Sequence, residues 1–222
     1  PVPQALENNV GLQITPIKDN QHNQFYLRVL TFLPGNFYAQ ISAENTSPKL
    51  WQNLGEFMSQ VTVGLSDFQH PGAFRFFDWD LAHGYAICQE KKPLLPEEQR
   101  VIVEYFLNLY QAHAAPLLAK LPRSVIHNDA NDHNLLVNNI TSPQIITGLI
   151  DFGDMVYSHT INELAITAAY ALMGQQDPIN TLKCVVAGFN KRYPLNDEEF
   201  EVLIYLICLR LCTSVCNAAK AI

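Results

Sequence analysis

Long apolar runs and basic clusters are both absent from this 222-residue sequence. No stretch of about 18 consecutive apolar residues occurs, which argues against a membrane span. The nearest candidate, EVLIYLICLRLC at 201–212, is short and contains Arg210, so it predicts a buried helix. The formal net charge is −7 and no basic patch is visible, which argues against a nucleic-acid partner. A charge of this sign suits a cationic substrate, although it is also ordinary for solubility.

Cysteine is sparse and odd in number, with five residues in the chain. Three of them, Cys208, Cys212 and Cys216, recur at every fourth position of one apolar segment, as buried thiols on one face of a helix would. No histidine or carboxylate accompanies this stripe, so a metal site there is disfavoured. Free thiols are typical of a reducing compartment, and we expect a cytoplasmic protein.

The first 34 residues predict strands. GLQITPI (11–17) and FYLRVLTFL (25–33) are rich in β-branched and aromatic residues and are separated by a polar turn. Pro34-Gly35 ends the second predicted strand. A strand pair near the start of the chain is therefore expected.

Helices are predicted over most of the remaining sequence. Ser47 followed by Pro48 has the pattern of a helix start. Residues 96–121 predict one long helix, and the chain from Ile161 onward predicts further helices, interrupted at GQQDP and at KRYPLND. Strands at one end and helices elsewhere indicate an α+β protein with a mainly helical body.

Two polar motifs, HNDANDHN (127–134) and IDFGD (150–154), enclose a predicted β-hairpin. The apolar runs NLLVNN and IITGLIDF flank ITSPQ, which has the composition of a turn. Facing residues of an antiparallel pair have a constant sum of residue numbers, and the sum for Asn134 and Asp151 centres the turn within ITSPQ. We therefore expect Asn134 and Asp151 to be neighbours at one end of the hairpin.

These side chains have the chemistry of a magnesium site. A carboxylate beside an amide oxygen offers hard ligands, which suit Mg²⁺ better than zinc or copper. Asp129 lies five residues before Asn134, where a second carboxylate could accept a proton from a substrate hydroxyl. A base, an amide ligand and an acidic ligand are parts required for phosphoryl transfer from a Mg-nucleotide.

The pattern His-x-Asp-x4-Asn followed by Asp-Phe-Gly is similar to the catalytic and metal loops of the protein-kinase-like superfamily. Within it, the sequence resembles the aminoglycoside phosphotransferase and choline kinase family over roughly residues 1–170. RVLTFLPG, HNDANDHN and LIDFGDMVYS resemble its hydroxylysine kinase branch. The resemblance implies a protein-kinase-like fold: an N-terminal lobe remnant (1–34) and a helical C-terminal lobe (35–222) with catalytic loop 127–134 and metal loop 151–153.

The resemblance also implies individual roles in catalysis. Asp129 would be the catalytic base that orients the acceptor hydroxyl. Asn134 and Asp151 would hold Mg²⁺. His127 would brace the catalytic loop rather than react, and Glu163 would support the site structurally.

Binding roles follow from the same resemblance. Thr31, Phe32 and Leu33 would form the hinge whose backbone meets the adenine of the nucleotide. Asp132 and Asp154 are candidates to face a cationic substrate, although Asp154 has the alternative role of a solvated turn residue. The implied ligands are Mg²⁺, ATP or GTP and a small amine-bearing molecule.

A glycine-rich phosphate loop and a strand lysine paired with a helix glutamate are further parts of such kinases. Before the predicted hinge this chain has one lysine, Lys18, placed in the strand turn, and no glycine-rich motif. We therefore expect a kinase-like domain that lacks most of its N-terminal lobe, the missing elements lying upstream of Pro1. Such a chain alone should bind nucleotide weakly and turn over poorly.

The predicted function is transfer of the γ-phosphoryl group of ATP or GTP to a hydroxyl of a small amine-bearing molecule, with hydroxylysine as the first candidate. One alternative is a non-catalytic kinase-like module of a larger multidomain metabolic enzyme, for example fused to an aminotransferase. A metal-dependent hydrolase using His127 and His133 is disfavoured, because no second His/Cys pair has zinc spacing. A purely structural Asx-rich turn does not explain the return of Asp151 to Asn134.

Overall fold

The computed structural model describes residues 1–219 of the chain. The strands are β1 (Ala5–Leu6), β2 (Thr15–Lys18), β3 (Gln24–Leu27), β4 (Val29–Leu30), β5 (Asn36–Phe37), β6 (Arg123–Ile126), β7 (Leu135–Val137), β8 (Ile146–Leu149) and β9 (Val156–His159). The α-helices are α1 (Pro48–Leu65), α2 (Gly84–Lys91), α3 (Glu97–Leu109), α4 (Ile161–Leu172), α5 (Pro178–Phe189) and α6 (Asp197–Ala219). This mixture confirms the α+β class. The end of the predicted helical lobe, 220–222, lies outside the described residues.

The N-terminal strands form two separate antiparallel pairs. β2 pairs with β3, with Thr15 opposite Leu27, so the predicted strand pair is confirmed over shorter spans. β1 pairs instead with β4, with Ala5 opposite Leu30. The second predicted strand is thus divided at Arg28, because the segments on either side of it pair with different partners. The division of the chain into lobes at residue 34 stays a prediction.

Helix α1 begins where the sequence predicts. The Ser47 side chain accepts a hydrogen bond from the Leu50 backbone N–H at 3.2 Å, and Pro48 occupies the first turn. Further along the chain, α4, α5 and α6 are separated at GQQDP and KRYPLND, which confirms the predicted interruptions.

Helices α1 and α5 meet through glycines. A Cβ atom added to Gly55 would lie 1.9 Å from the Val185 carbonyl oxygen, and one added to Gly188 would lie 2.0 Å from the Gln52 carbonyl oxygen. No side chain other than hydrogen fits at either contact. The two helix backbones therefore pack directly against each other and form one side of the apolar core.

The prediction of one continuous helix over 96–121 is wrong beyond Leu109. The chain there widens into a π-helical turn, Tyr110–Ala114, and tightens into a 3₁₀ turn, Leu118–Lys120. Pro116 accounts for the break, because it has no backbone N–H and its ring collides with the carbonyl one turn earlier.

The predicted hairpin is confirmed as β7 and β8, with β5 adding a third strand beside β7. Its register differs by one residue from the prediction, since Leu135 pairs with Leu149. The Asn134 carbonyl consequently accepts the backbone N–H of Ile150 at 3.0 Å, and Asp151 follows immediately. The direct pairing predicted for Asn134 and Asp151 is therefore wrong by one residue. Nearer the turn the register shifts once more, since Val137 pairs with Ile146 and Thr147 of β8 is skipped in the ladder.

Helix α6 contacts both α2 and α4 and contributes to the core. Its length and apolar composition would also suit a membrane span. However, half of its apolar 18-residue stretch is buried within the chain, as in the core helix of a globular protein. Cys208, Cys212 and Cys216 lie on this helix, and the five cysteines of the chain are free thiols, as predicted. Arg210 of α6 is 1% exposed.

Candidate active site

Two loops emerge at the same end of paired strands. β6 pairs with β9, with Ile126 opposite Val156, and β7 pairs with β8. The loop 127–134 therefore leaves β6 and enters β7, while the segment 150–155 leaves β8 and enters β9. The pairing of β6 with β9 was not predicted, and it fixes the two polar motifs side by side.

Asp129 is held by amide donors within its own loop. Its Oδ1 accepts from Asn131 Nδ2 at 3.0 Å and its Oδ2 accepts from Asn134 Nδ2 at 2.8 Å. The guanidinium of Arg210 lies 3.7 Å from Oδ1, and the Asp129 side chain remains 22% exposed. Burial raises the pKa of Asp129, while Asn131, Arg210 and Asn134 lower it and Asp154 raises it further. Asp129 is therefore a partly exposed carboxylate that is held in place by the side chains of Asn131, Asn134 and Arg210.

His127 connects the two loops and is buried. Its Nδ1 accepts the backbone N–H of Asp129 at 3.3 Å, so its proton is on Nε2 and is donated to the Ile150 carbonyl at 3.0 Å. The edge of its ring packs against Phe152, with centroids 4.7 Å apart. Burial lowers the pKa of His127 to about 4, so the imidazole is neutral at pH 7.

Glu163 supports the same loop from helix α4. Its carboxyl oxygen Oε2 accepts the backbone N–H of His127, and the residue has no solvent exposure. Burial raises the pKa of Glu163 to about 7, against the lowering effect of the His127 and Asn128 backbone N–H groups. A carboxyl group therefore titrates near neutral pH directly behind the catalytic loop.

The residues predicted to bind Mg²⁺ have free oxygens. Asn134 donates Nδ2 hydrogens to the carbonyl and carboxylate of Asp129, which leaves its Oδ1 available as a ligand. Asp151 is exposed and adopts the left-handed backbone conformation, φ 61°, with Oδ1 accepting from Gly153 N at 3.2 Å. Residues 1–219 contain no group of three or more His, Cys, Asp or Glu side chains placed to hold a metal. Two protein ligands completed by phosphate and water fit Mg²⁺.

A cavity of about 520 Å³ lies between the N-terminal segment and the hairpin. Thr31, Phe32 and Leu33 line it together with Asp151 and Phe152. The Thr31 backbone N–H is bound to the Gln4 carbonyl at 2.9 Å; within residues 1–219 the backbone of Phe32 and Leu33 has no recorded hydrogen bond. The predicted hinge and one predicted Mg²⁺ ligand therefore share one apolar cavity.

Comparison with known proteins agrees with this geometry. The model of the phosphotransferase enzyme family (APH) matches residues 1–189. The chain belongs to the phosphotransferase enzyme family. Hydroxylysine kinase of Xenopus laevis is 30% identical over 207 residues, which cover 88% of this chain and 54% of the relative. The chain thus spans about half the length of the curated relatives that it matches.

Solved structures show that this member of the phosphotransferase enzyme family has a kinase-like fold. The amicoumacin kinase hAmiN, in complex with AMP-PNP and Ca²⁺, is 17% identical, with a TM-score of 0.71 over 100% of this chain and 65% of that one. A microcompartment-associated aminopropanol kinase is 16% identical, with a TM-score of 0.69 over 99% of this chain and 71% of that one. The fold predicted from the sequence is confirmed.

The two acidic residues predicted to face substrate in this phosphotransferase-family chain have different contacts, and a substrate role for either stays a prediction. Asp154 interacts electrostatically with charged residues around the site. Burial raises its pKa and the charge of Asp151 raises it further, whereas Arg75 and Arg210 lower it. Asp132 instead accepts the backbone N–H of Ala39 through its carbonyl at 2.9 Å. Asp154 is therefore grouped with Asp151, whereas Asp132 anchors the loop to the segment after β5.

Two further residues of this phosphotransferase-family site were missed. Asn131 donates to Asp129 and its Oδ1 accepts the backbone N–H groups of His133 and Asn134, so it sets the shape of the loop. Arg210 reaches Asp129 from α6, 81 residues along the chain. A signal for Arg210 was present, because a cation inside an apolar helix must be paired when buried.

Proposed function

We propose that this chain carries the catalytic centre of a small-molecule kinase, which transfers the γ-phosphoryl group of ATP or GTP to a hydroxyl of an amine-bearing acceptor. The observation that supports it most directly is Asp129, an accessible carboxylate fixed by Asn131 and Asn134, in a loop whose residue Asn134 accepts the backbone N–H of Ile150, the residue before Asp151. Asp151 in turn lines the cavity that the hinge shares. The proposed base, metal ligands and nucleotide cavity would therefore be contiguous.

In the proposed reaction the nucleotide base occupies the cavity lined by Thr31–Leu33. Asn134 and Asp151 would hold Mg²⁺, which when bound neutralises charge on the phosphates. Asp129 orients the acceptor hydroxyl and takes up its proton. The acceptor oxygen forms a bond to the γ-phosphorus as the bond between that phosphorus and the bridging oxygen breaks, which releases ADP or GDP. His127, neutral and hydrogen-bonded on both ring nitrogens, keeps the loops in register.

The acceptor we propose is cationic, with hydroxylysine as the first candidate. Asp154 and Asp151 place negative charge at the mouth of the site, and the chain carries a net charge of −7. The curated relatives are named hydroxylysine kinase, and one structural neighbour is named an aminopropanol kinase. We also propose a cytoplasmic location, which five free thiols favour.

The test is a kinase assay of the complete natural protein with Mg-ATP and Mg-GTP over hydroxylated amino acids, amino alcohols and aminoglycosides. We expect Asp129→Asn to lower kcat by about 10²–10⁴-fold, the usual contribution of a general base, while nucleotide affinity stays within a few fold. Glu104→Gln, an exposed substitution on α3, is the matched control.

Undiminished turnover of Asp129→Asn would refute the role of Asp129. Nucleotide binding by the complete protein without phosphorylation of any member of the panel would favour a non-catalytic module of a larger enzyme.

A further inference from the structure

Arg75 is an exposed cation that lies against the loop carrying Asp154. Its Nη2 donates to the Gly153 carbonyl at 2.8 Å and to the Met155 carbonyl at 3.4 Å. Its guanidinium carbon lies 4.8 Å from the centroid of the Phe77 ring. Arg75 is therefore held at a fixed position on the segment that connects β8 to β9.

The contacts that hold this guanidinium do not neutralise its charge. Carbonyl oxygens and an aromatic ring carry no full negative charge, and Arg75 forms no ion pair with a carboxylate of residues 1–219. Its Nε and Nη1 have no hydrogen-bond partner among these residues either. Attachment to the loop uses one nitrogen, so the other donors of the planar guanidinium are available to a ligand.

A cavity of about 190 Å³ is lined by Arg75 together with His70 and Gly153. His70 Nδ1 accepts the backbone N–H of Gly72 at 3.0 Å, so Nε2 carries the ring hydrogen. None of the described residues that line this cavity is acidic, although the chain carries a net charge of −7. Arg75 and His70 are both hydrogen-bond donors, and a charged donor of this kind binds carboxylate oxygens strongly. The cavity therefore suits a carboxylate group.

Asp154 places a negative charge between this cation and the proposed base. Arg75 lowers the pKa of Asp154, and Asp154 raises the pKa of Asp129, so the charge of Asp154 acts on both neighbours. A cation and a carboxylate thus lie close together beside the proposed base. An α-amino acid carries the complementary pair of charges, a carboxylate and an ammonium group on one carbon atom.

We propose that Arg75 is a specificity-determining residue, which binds the carboxylate of an amino-acid acceptor while Asp154 faces the ammonium group of the same acceptor. The inference rests on the proposed function, and it narrows the acceptor from any amine-bearing alcohol to a hydroxylated α-amino acid. Amino alcohols and aminoglycosides have no carboxylate. A site built for a hydrogen-bonding group discriminates against analogues that lack that group, so these compounds should be poor acceptors.

The first test compares matched acceptors in the complete natural protein. Hydroxylysine and the other hydroxylated amino acids of the panel are each assayed beside their carboxamide, which keeps the shape of the molecule without the negative charge. We expect kcat/KM of wild type to be about ten- to a hundredfold higher for the amino acid, as is usual for a hydrogen bond to a charged group. Arg75→Gln should raise KM for the amino acid by a similar factor and change kcat little.

A purely structural role of Arg75 predicts a different result. If Arg75 only held residues 153–155, its loss would impair both acceptors equally, and the preference for the amino acid would persist. Arg75→Lys keeps the positive charge, so it should restore part of the preference. Arg192→Gln removes an exposed arginine that pairs with Glu56, and this control should leave the preference unchanged.

Calorimetry with Mg²⁺ and AMP-PNP present measures acceptor binding without turnover, and it separates failure of this inference from failure of the proposed function. We expect wild type to bind the amino acid about tenfold or more tightly than its carboxamide, and Arg75→Gln to bind both alike. The Kd for AMP-PNP should be the same in wild type and Arg75→Gln.

Carboxylate-selective binding that Arg75→Gln abolishes supports the inference even without phosphoryl transfer, an outcome that refutes the proposed function alone. Equal binding of amino acid and carboxamide by wild type, binding of neither, or a preference that persists in Arg75→Gln overturns the inference. A loss of AMP-PNP affinity in Arg75→Gln also overturns it, because Arg75 would then bind phosphate.

Discussion

The N-terminal segment and the helical body differ most in how much of their apolar surface is covered. Phe25 is 51% exposed and Val29 is 56% exposed, and all four residues of β3 are exposed. In contrast, ten of the twelve residues of α4 are buried. The predicted hinge belongs to the first region, whereas Glu163 and Arg210, which contact the predicted catalytic loop, belong to the second. The proposed base is therefore held by residues of the buried core. The side of the cavity that is formed by the predicted hinge belongs to the exposed N-terminal segment.

The largest effect is expected where the body is packed most closely. Gly55→Ala should lower the free energy of unfolding of the 222-residue chain by about 3 kcal/mol or more, because its Cβ would fall 1.9 Å from the Val185 carbonyl oxygen. Gly64→Ala on the same helix is the matched control, since nothing lies within 4 Å of its added Cβ. There alanine should raise the stability by about 0.5 kcal/mol through helix propensity.

Urea unfolding followed by circular dichroism measures both variants. Equal and small effects of Gly55→Ala and Gly64→Ala would mean that α1 and α5 are not in backbone contact, and the contrast between body and N-terminal segment would lose its main support.

A pH-dependent effect is expected at Glu163. Its pKa is raised by burial from 4.5 to about 7, so the folded state binds its proton more tightly than the unfolded state does. Stability from this group is therefore present below pH 4.5 and is lost as the pH rises to 7. Relative to wild type, Glu163→Gln should gain roughly 3 kcal/mol across that window, because glutamine does not ionise.

Urea unfolding at several pH values checks this difference, which separates Glu163 from groups common to both proteins. Glu201→Gln, on an exposed position of α6, is the control for the substitution itself. A difference between wild type and Glu163→Gln that stays constant from pH 4.5 to 7 contradicts the buried-carboxyl assignment.

The smallest effect is expected in the N-terminal sheet. Phe25→Ser should change the unfolding free energy of the helical body by less than about 0.5 kcal/mol, as is usual for exposed positions. Thermal unfolding monitored by circular dichroism at 222 nm follows the helices selectively. A loss above about 1.5 kcal/mol would show that the two regions unfold as one cooperative unit.

The sequence predicts the local parts of this structure better than the long-range ones. Ser47-Pro48 places a helix start and the turn at ITSPQ places a hairpin, because both signals act over a few residues. The exact register of the hairpin was missed, because the composition of the turn locates it only to within a residue and the skipped residue Thr147 in β8 has no signature in the sequence. The π-helical turn before Pro116 was missed because the apolar periodicity continues through it.

The candidate site shows the same division. Asp129, Asn134 and Asp151 are close in sequence or joined by one hairpin, so spacing and resemblance were enough to associate them. The contact between Arg210 and Asp129 depends on how α6 packs against α2 and α4. That packing arises from the whole core, and no short-range pattern encodes it. Arg210 offered only the general signal of a charge inside an apolar helix.

The left-handed backbone of Asp151 limits the residues that mutation can place there. Among residues with a side chain, asparagine and aspartate adopt this conformation at the least cost, and glycine adopts it freely. Aspartate and asparagine also supply the oxygen that a hard cation prefers. Substitution of this proposed ligand is therefore expected to be tolerated best as asparagine or glycine, whereas other replacements should lower stability and also remove the proposed ligand. The left-handed backbone conformation and the proposed metal-binding role both favour aspartate, so few substitutions are expected to be tolerated at this position.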